Sequence, residues 1–283
     1  MAEHCVGLIS PGEMGAAVGE SLVAAGRRVV TVLRGRGPRT FARAQAAGIE
    51  DVGSLETLAT ESSVIISIVP PIVASEVVAS LAEAIRTTGS SPLVVEANAV
   101  SPASAERSSH ALRDAGAVFV DADLIGGPPA SGRPPTRLYL SGPEAELAAD
   151  VLATPELRAV VLGGPAMAAS SLKMAYASWT KGSAALVLAA RALARTLGVE
   201  EALLIEWAES QPDLARRCEL AAHGASRAWR FAEEMNEIAA THKGAGLPEG
   251  FGGAAAEIYR RLGAFKDQAA PSFDEVFDVL MKS

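Results

Sequence analysis

A short loop near the start of the chain has the residue types needed to hold a phosphate. Residues 5–9 form an apolar run that predicts a buried strand, and a helix is predicted over 16–25. The six residues between them are Ser10, Pro11, Gly12, Glu13, Met14 and Gly15. In the G-x-G-x-x-G dinucleotide motif, glycines let the backbone approach the pyrophosphate and the helix start supplies amide donors. Ser10 stands at the first glycine position while Gly12 and Gly15 match, so we predict a dinucleotide site, with an ordinary glycine turn as the alternative.

The end of the second predicted strand indicates which dinucleotide binds. NAD sites usually place an acidic residue there to hold the ribose 2′-hydroxyl. This chain has no acidic residue between Glu20 and Glu50, and Arg34 and Arg36 follow the strand instead. Guanidinium groups match phosphate geometry with paired donors. We therefore predict NADP, with its 2′-phosphate at Arg34 and Arg36; a solvated basic loop is the alternative.

A long apolar helix, predicted over 166–195, has a few polar residues on one side. Tyr176, Thr180 and Lys181 follow Lys173 by three, seven and eight residues, a spacing that places all four on one helix face. Hydride transfer to a carbonyl carbon also requires a proton on the oxygen, and a positioned lysine can supply it. A lysine on an unknown helix is more often solvated, and Thr180 and Lys181 are expected to be structural.

The elements that would position these residues alternate along the first part of the chain. Strands are predicted at 5–9, 28–33, 64–69, 93–96, 117–121, 137–141 and 160–162, with helices between most of them. Apolar strands alternating with helices predict a parallel sheet covered on both faces. Beyond residue 195 the pattern is helical, apart from a glycine-rich loop at 243–253.

The predicted fold is therefore an α/β Rossmann-type domain followed by helices. We expect an NADP-binding domain over 1–164, an interdomain helix over 165–195 and an all-helical domain over 196–283, with the boundary near Gly163, Gly164 and Pro165. The length of 283 residues agrees with two domains at roughly 150 residues each.

Composition excludes several classes of protein. Hydrophobic residues make up 49% and charged residues 20% of the chain, and the net charge is −8, which is typical of a globular protein. The basic residues form no long run, which argues against nucleic-acid binding. No apolar run reaches the roughly 18 residues of a membrane helix.

The cysteines and histidines do not have the spacing of a metal site. Cys5 and Cys218 are the only cysteines, and the four histidines do not cluster, so we expect neither a metal nor a disulfide framework. The first residues lack the pattern of a signal peptide. A reducing, cytoplasmic location is expected.

With these motifs the chain resembles the β-hydroxyacid dehydrogenase superfamily, which includes 6-phosphogluconate and 3-hydroxyisobutyrate dehydrogenases. The superfamily opens with G-x-x-G-x-G-x-M-G, and residues 7–15, GLISPGEMG, match all but one fixed position. The similarity spans most of the chain and is greatest to a branch with a distinct C-terminal domain. Imine reductases share this architecture.

The resemblance implies cofactor and substrate contacts at the ends of later strands. A Val-Pro-Pro-like loop lies beside the cofactor in the family, and here it is Val69, Pro70 and Pro71. An acid-x-Ser-Thr-x-x-Pro block touches substrate, and residues 96–102 match it with Asn98 in the Ser position. Ala99 replaces the Thr. Because an Asn side chain can still donate and accept hydrogen bonds, Asn98 is predicted to bind substrate.

A third block implies an anion contact. The family pattern Asp-Ala-Pro-Val-Ser-Gly-Gly becomes DADLIGG over residues 121–127. Ile125 stands where the family has a carboxylate-binding Ser, which weakens the case for a plain small hydroxyacid. The amides of Gly126 and Gly127 are predicted to bind the substrate, and a plain turn is the alternative.

The resemblance also implies the catalytic residues. The family lysine lies early on the interdomain helix, where Lys173 falls, and Tyr176 occupies the position of a usual Asn or His three residues on. Lys173 is thus predicted to be the acid/base, and Tyr176 to bind substrate or orient the lysine. Imine reductases typically lack this lysine, which favours a dehydrogenase. Asn236 and Glu237 replace a Lys-Asp pair of many relatives, and we expect them on a solvated helix face.

Taken together, these features predict an NADP-dependent oxidoreductase that exchanges hydride between NADPH and a small polar carbonyl or hydroxy compound. Relatives dimerise through their helical domains, so a homodimer is expected. An imine reductase and a non-catalytic cofactor-binding protein are the alternatives.

Overall fold

The computed structural model of the chain describes residues 4–282. It divides the chain into two compact units, Met1–Lys173 and Met174–Ser283. The first unit is α/β and the second is helical, which confirms the fold class predicted from the sequence. Helix α7, Ala168–Thr196, contains the division.

Eight strands of the first unit form one sheet. They are β1 Cys5–Ile9, β2 Arg28–Thr31, β3 Glu50–Asp51, β4 Val64–Ser67, β5 Leu93–Glu96, β6 Val118–Ile125, β7 Thr136–Ser141 and β8 Leu157–Val161. Their order is β3-β2-β1-β4-β5-β6-β7-β8, and β6–β7 is the antiparallel pair. The strand order reverses at β1, and sheets of this topology bind ligands there, at the carboxyl ends of the strands.

Helices cover both faces of this sheet. They are α1 Glu13–Ala24, α2 Pro38–Ala46, α3 Leu55–Glu61, α4 Pro71–Thr88, α5 Pro102–Asp114 and α6 Ala145–Leu152. Alternate residues of β6 enter different apolar clusters: Val120 and Ala122 belong to one, and Phe119 to the other. Because side chains alternate along a strand, Asp121, Asp123 and Ile125 share the face of Phe119.

The second unit continues α7 and adds further helices. They are α8 Glu200–Ser210, α9 Leu214–His223, a 3-10 helix Gly224–Arg230, α10 Phe231–Gly244, α11 Gly250–Leu262, a 3-10 helix Gly263–Phe265 and α12 Phe273–Met281. The guanidinium of Arg191 lies 3.9 Å from the ring centre of Phe273, a cation–π contact that joins α7 to α12. Arg195 hydrogen-bonds Glu200 and holds the pKa of that carboxyl below its ordinary value. Within residues 4–282, no helix is both long and apolar enough to cross a bilayer.

The glycine-rich loop predicted over 243–253 is shorter than predicted, because α10 ends at Gly244 and residues 245–249 alone lie between the two helices. Helix α11 begins at Gly250 and includes Gly252 and Gly253. A Cβ on Gly252 would come within 2.8 Å of the Ala239 Cβ on α10. Gly252 therefore serves a close helix crossing rather than a turn.

Candidate active site

The loop after β1 has the backbone of a phosphate-binding turn. Ser10 has a φ of +68°, in the left-handed region that favours glycine, and this explains why dinucleotide loops place glycine there. The Gly12 amide donates to the Ser10 carbonyl at 2.8 Å, and the Ala16 amide donates to the Gly12 carbonyl at 2.9 Å. The turn therefore leads directly into α1.

Gly12 and Gly15 have different steric surroundings. A Cβ on Gly15 would lie 2.4 Å from the Ser10 carbonyl oxygen, whereas one on Gly12 would meet no heavy atom of the described chain within 4 Å. Gly12 is the N-cap of α1, and within residues 4–282 no side chain hydrogen-bonds to cap it. Open space beside helix amides fits the pyrophosphate of a dinucleotide.

The side chain of Asn98 connects the loop after β4 to the end of β5 by hydrogen bonds. The Val69 amide donates to the Asn98 side-chain oxygen at 2.6 Å, and the Asn98 amide nitrogen donates to Ser67 Oγ at 3.3 Å and to the Glu96 carboxylate. Asn98 is buried, so its amide orients the Val69-Pro70-Pro71 segment at the start of α4. Direct substrate contact by Asn98 stays a prediction.

The glycines after β6 lie at the same edge of the sheet as the Ser10 turn, because β1 and β6 run in the same direction. Gly126 has a φ of +137°, and the Gly127 carbonyl accepts a hydrogen bond from the Thr136 hydroxyl. Ile125 is buried and Gly127 is exposed. Binding of an anion by the two glycine amides stays a prediction.

Asp121 fixes the beginning of α7 on β6. Its Oδ2 accepts the Ala169 amide at 2.9 Å, the Ser170 amide at 3.1 Å and the Ser141 hydroxyl at 2.7 Å, and its Oδ1 accepts the Ser170 hydroxyl. A carboxylate at a helix start satisfies orphan amides and interacts favourably with the helix dipole. The buried Asp121 thus determines where α7 leaves the sheet.

Lys173 lies one helical turn after Ser170, and its side chain contacts the same strand, β6. Its Nζ donates to Asp123 Oδ1 and to the Leu124 carbonyl, each at 2.7 Å. The side chains of Lys173 and Asp123 are 12% and 2% exposed. The amino group of Lys173 is therefore held at the carboxyl end of β6.

Arg34 and Arg36 lie exposed between β2 and α2. Neither makes an ion pair or hydrogen bond through its side chain within residues 4–282. Asp51, on the neighbouring β3, accepts the Leu33 amide at 3.1 Å and the Gly53 amide at 3.0 Å through Oδ1. The acidic group beside the end of β2 is thus engaged with the backbone.

The remaining polar residues of α7 belong to the second unit. Tyr176 is exposed, and the Thr180 hydroxyl donates to its carbonyl at 3.2 Å. Lys181 pairs with Glu234 at 2.8 Å. Asn236 donates to Glu233 at 3.1 Å. Thr180 thus makes a contact within α7, and Lys181 makes a contact with α10 in the second unit.

Sequence reasoning missed Asp121 and Asp123 as partners of α7. Residues 118–125, VFVDADLI, place acids at alternate positions of an apolar run, which is the signal that could have identified a buried polar face. Burial raises the pKa of both cysteine thiols, Cys5 and Cys218, so neither is activated as a nucleophile. Within the described residues, no three acids, histidines or cysteines are grouped to hold a metal.

Two family models match the chain. The NAD-binding domain of 6-phosphogluconate dehydrogenase matches residues 5–152, and a domain of unknown function, DUF1932, matches residues 194–262. No curated protein matches the sequence. The first match covers more than half of the chain and includes both the Ser10 turn and Asp123.

Solved structures extend the likeness over nearly the whole chain. The conserved protein MTH1747, of unknown function and structurally similar to 3-hydroxyacid dehydrogenases, is 28% identical over 92% of this chain and 97% of its own, with a TM-score of 0.64. Mycobacterium tuberculosis 3-hydroxyisobutyrate dehydrogenase, solved with L-serine, is 20% identical over 98% and 99%, with a TM-score of 0.69. A reductive aminase from Aspergillus terreus is 16% identical over 99% and 100%, with a TM-score of 0.58. The similarities to the 3-hydroxyisobutyrate dehydrogenase and to the reductive aminase show a shared fold.

Proposed function

Because this chain belongs to the β-hydroxyacid dehydrogenase superfamily and contains the NAD-binding domain of 6-phosphogluconate dehydrogenase, we propose that it exchanges hydride between NADPH and a small polar carbonyl or hydroxy compound. Membership of this family makes the protein a nicotinamide-dependent oxidoreductase that acts on a small molecule. We propose in addition that the cofactor is phosphorylated, that Lys173 is the acid/base and that the substrate is a polar carbonyl or hydroxy compound.

The placement of Lys173 carries the proposal. Its ammonium lies 2.7 Å from Asp123 and from the Leu124 carbonyl at the carboxyl end of β6, on the edge where the Ser10 turn opens. A nicotinamide cofactor held by the Ser10 turn would supply or accept the hydride. During reduction Lys173 gives its proton to the substrate oxygen, and water returns a proton to the resulting amine. Gly126, Gly127 and Tyr176 are proposed to orient the substrate.

A panel assay with NADPH tests this function. The absorbance of NADPH is followed after addition of two groups of compounds in separate assays. One group contains short keto acids and aldehydes, and the other contains cyclic imines. Turnover of carbonyl compounds is expected. Turnover of imines alone would favour the imine reductase, and NADPH binding without turnover of either class would favour a non-catalytic protein.

Recognition of NADP is assigned to Arg34, with Arg36 beside it. Removing a charge-assisted hydrogen bond costs roughly 1.5–3 kcal/mol, so Arg34→Ala is expected to weaken NADPH binding by about 10- to 100-fold. NADH lacks the 2′-phosphate, and its affinity is expected to stay within about twofold. Fluorescence titration with both cofactors measures the two effects.

Arg43→Ala is the matched control, because Arg43 is an exposed arginine on α2 and its loss changes the net charge equally. It is expected to leave both affinities unchanged. Equal losses of NADPH and NADH affinity in Arg34→Ala would reject recognition of the 2′-phosphate.

A homodimer through the helical unit is proposed from a row of exposed apolar residues on α7. Trp179, Leu186 and Leu193 are 68%, 65% and 60% exposed and are spaced by seven residues, with Leu197 four residues after the last. This heptad spacing is typical of a helix face that packs against another helix. A large exposed apolar surface on a globular protein indicates an interface.

Leu186→Asp is expected to convert the dimer to a monomer, because a carboxylate would be desolvated at the centre of that face. Size-exclusion chromatography with light scattering measures the mass. Leu220→Asp, at an exposed leucine on α9, is the control and should remain a dimer. A parent protein that is already monomeric at micromolar concentration would contradict the proposal.

A further inference from the structure

Asp123 has no assigned role, yet its carboxylate accepts a hydrogen bond from the lysine at 2.7 Å. The superfamily block has proline at this position, so the resemblance does not supply a carboxylate here. In this chain the Asp123 side chain is 2% exposed and its Oδ1 accepts from Lys173 Nζ at 2.7 Å. A carboxylate is placed on a buried strand only where a partner compensates its desolvation.

Two acids on the same face of β6 attach α7 at two points. Asp121 binds the amides of Ala169 and Ser170, and Asp123 binds the ammonium of Lys173 one helical turn later. The Leu124 carbonyl accepts from the same ammonium at 2.7 Å. A lysine side chain is a flexible four-carbon stem, and these contacts fix its charged end relative to the sheet.

We propose that Asp123 is a positioning residue for the reaction, holding Lys173 as an ammonium group at the end of β6 so that the lysine enters reduction as the proton donor. The proposal rests on the function proposed above. An adjacent carboxylate favours the charged form of the lysine, and it defines where the donated proton lies.

The proton balance is simple. In reduction an N–H bond of the Lys173 ammonium breaks and an O–H bond forms on the substrate, while the hydride forms the new C–H bond. The products are the alcohol, the oxidised nicotinamide and a neutral Lys173 amine beside the Asp123 carboxylate. Water then returns the proton to the amine, and Asp123 stays ionised throughout.

Other charged or titratable groups lie on the strands beside Asp123. They are Glu96 on β5, Asp121 on β6, and Arg137 and Tyr139 on β7. All of them are retained when Asp123 is changed to asparagine. The difference between the parent and Asp123→Asn therefore isolates the one carboxylate.

Lysine-selective NMR tests the pair directly, since the chain has five lysines. With 15N-labelled lysine, the Nζ signal of Lys173, identified by its loss in Lys173→Arg, is expected to titrate at a pH about one to three units lower in Asp123→Asn than in the parent. The Lys181 signal should not move. An unchanged Lys173 midpoint would overturn the proposal. The experiment needs neither cofactor nor substrate.

Should Asp123→Asn fail to fold, the parent protein alone still tests the pair. Ammonium protons that are buried and hydrogen-bonded exchange slowly, so a 1H–15N signal of Lys173 is expected at neutral pH and low temperature. Its absence under conditions where Lys181 is seen would overturn the proposal.

Kinetics then tests the role in the reaction. With a panel compound that is turned over, Asp123→Asn should bind NADPH as the parent does and lose at least about tenfold in kcat. As the pH is raised, the activity of the variant should decline at a lower pH than the activity of the parent. Glu234→Gln, which breaks the Lys181 pair in the second unit, should lower stability without moving the pH profile. An unchanged pH profile of activity in Asp123→Asn overturns the proposal. If NMR confirms the Lys173–Asp123 pair but the protein turns over no compound of the panel, the proposed function is rejected, and the role of Asp123 in the reaction is rejected with it.

Discussion

Gly12→Ala is expected to abolish NADPH binding while the protein stays folded. The added methyl group meets no described atom within 4 Å, and Gly12 has a φ of −71° that any residue can adopt. The space that the methyl group takes is where a pyrophosphate approaches the backbone. We expect the Kd of NADPH to rise at least about 100-fold, and the free energy of unfolding to fall by about 1 kcal/mol at most, since alanine is a poorer N-cap than glycine.

Two further glycine variants separate binding from folding. Gly250→Ala changes the first residue of α11 in the second unit, where a methyl group also meets no described atom within 4 Å, and it should keep NADPH binding. Gly15→Ala brings a methyl group 2.4 Å from the Ser10 carbonyl, so it should lose stability as well as binding. Gly12→Ala protein that binds NADPH with the affinity of the parent would contradict the site. Titration calorimetry and thermal unfolding measure the two properties.

The parts of the fold that the sequence predicts well are those with local signals. Strands β1 and β5 have the predicted bounds, 5–9 and 93–96, because short apolar runs, residues 5–9 and 93–95, make up all or most of each strand. Helix α7 was predicted within two residues, since it contains a long stretch without proline. Helices α3 and α6, of seven and eight residues, were missed because helices this short depend on tertiary packing for their stability.

The site was predicted less completely than the fold. The sequence indicates the Ser10 turn through its glycines and suggests Lys173 through its place on α7, and the comparisons confirm the family. Strand β6 was predicted to end at Asp121 but continues to Ile125. The charge of Asp123 argues against a buried strand unless its partner is known, and that partner lies 50 residues further along the chain. Contacts at such separation leave no local pattern in one sequence.

Lys173→Ala is expected to remove most turnover and to spare cofactor binding. Loss of a positioned acid typically costs about 100- to 10,000-fold in rate. The lysine contacts β6, whereas the turn proposed to hold the pyrophosphate joins β1 to α1, so the affinity for NADPH should change by less than about threefold.

Removal of the lysine alone also leaves Asp123 buried without this partner, which destabilises a protein by roughly 3–5 kcal/mol. The double variant Lys173→Ala with Asp123→Asn removes that charge and is expected to recover stability but not activity. Lys181→Ala breaks a comparable pair with Glu234 in the second unit and serves as the control for stability.

The most direct measurement follows NADPH consumption by Lys173→Ala with a carbonyl compound that the parent reduces, together with the Kd of NADPH for the same preparation. The account predicts bound NADPH and a rate at least about 100 times lower than that of the parent. A folded variant that binds NADPH and turns over at the parent rate would show that Lys173 does not supply the proton.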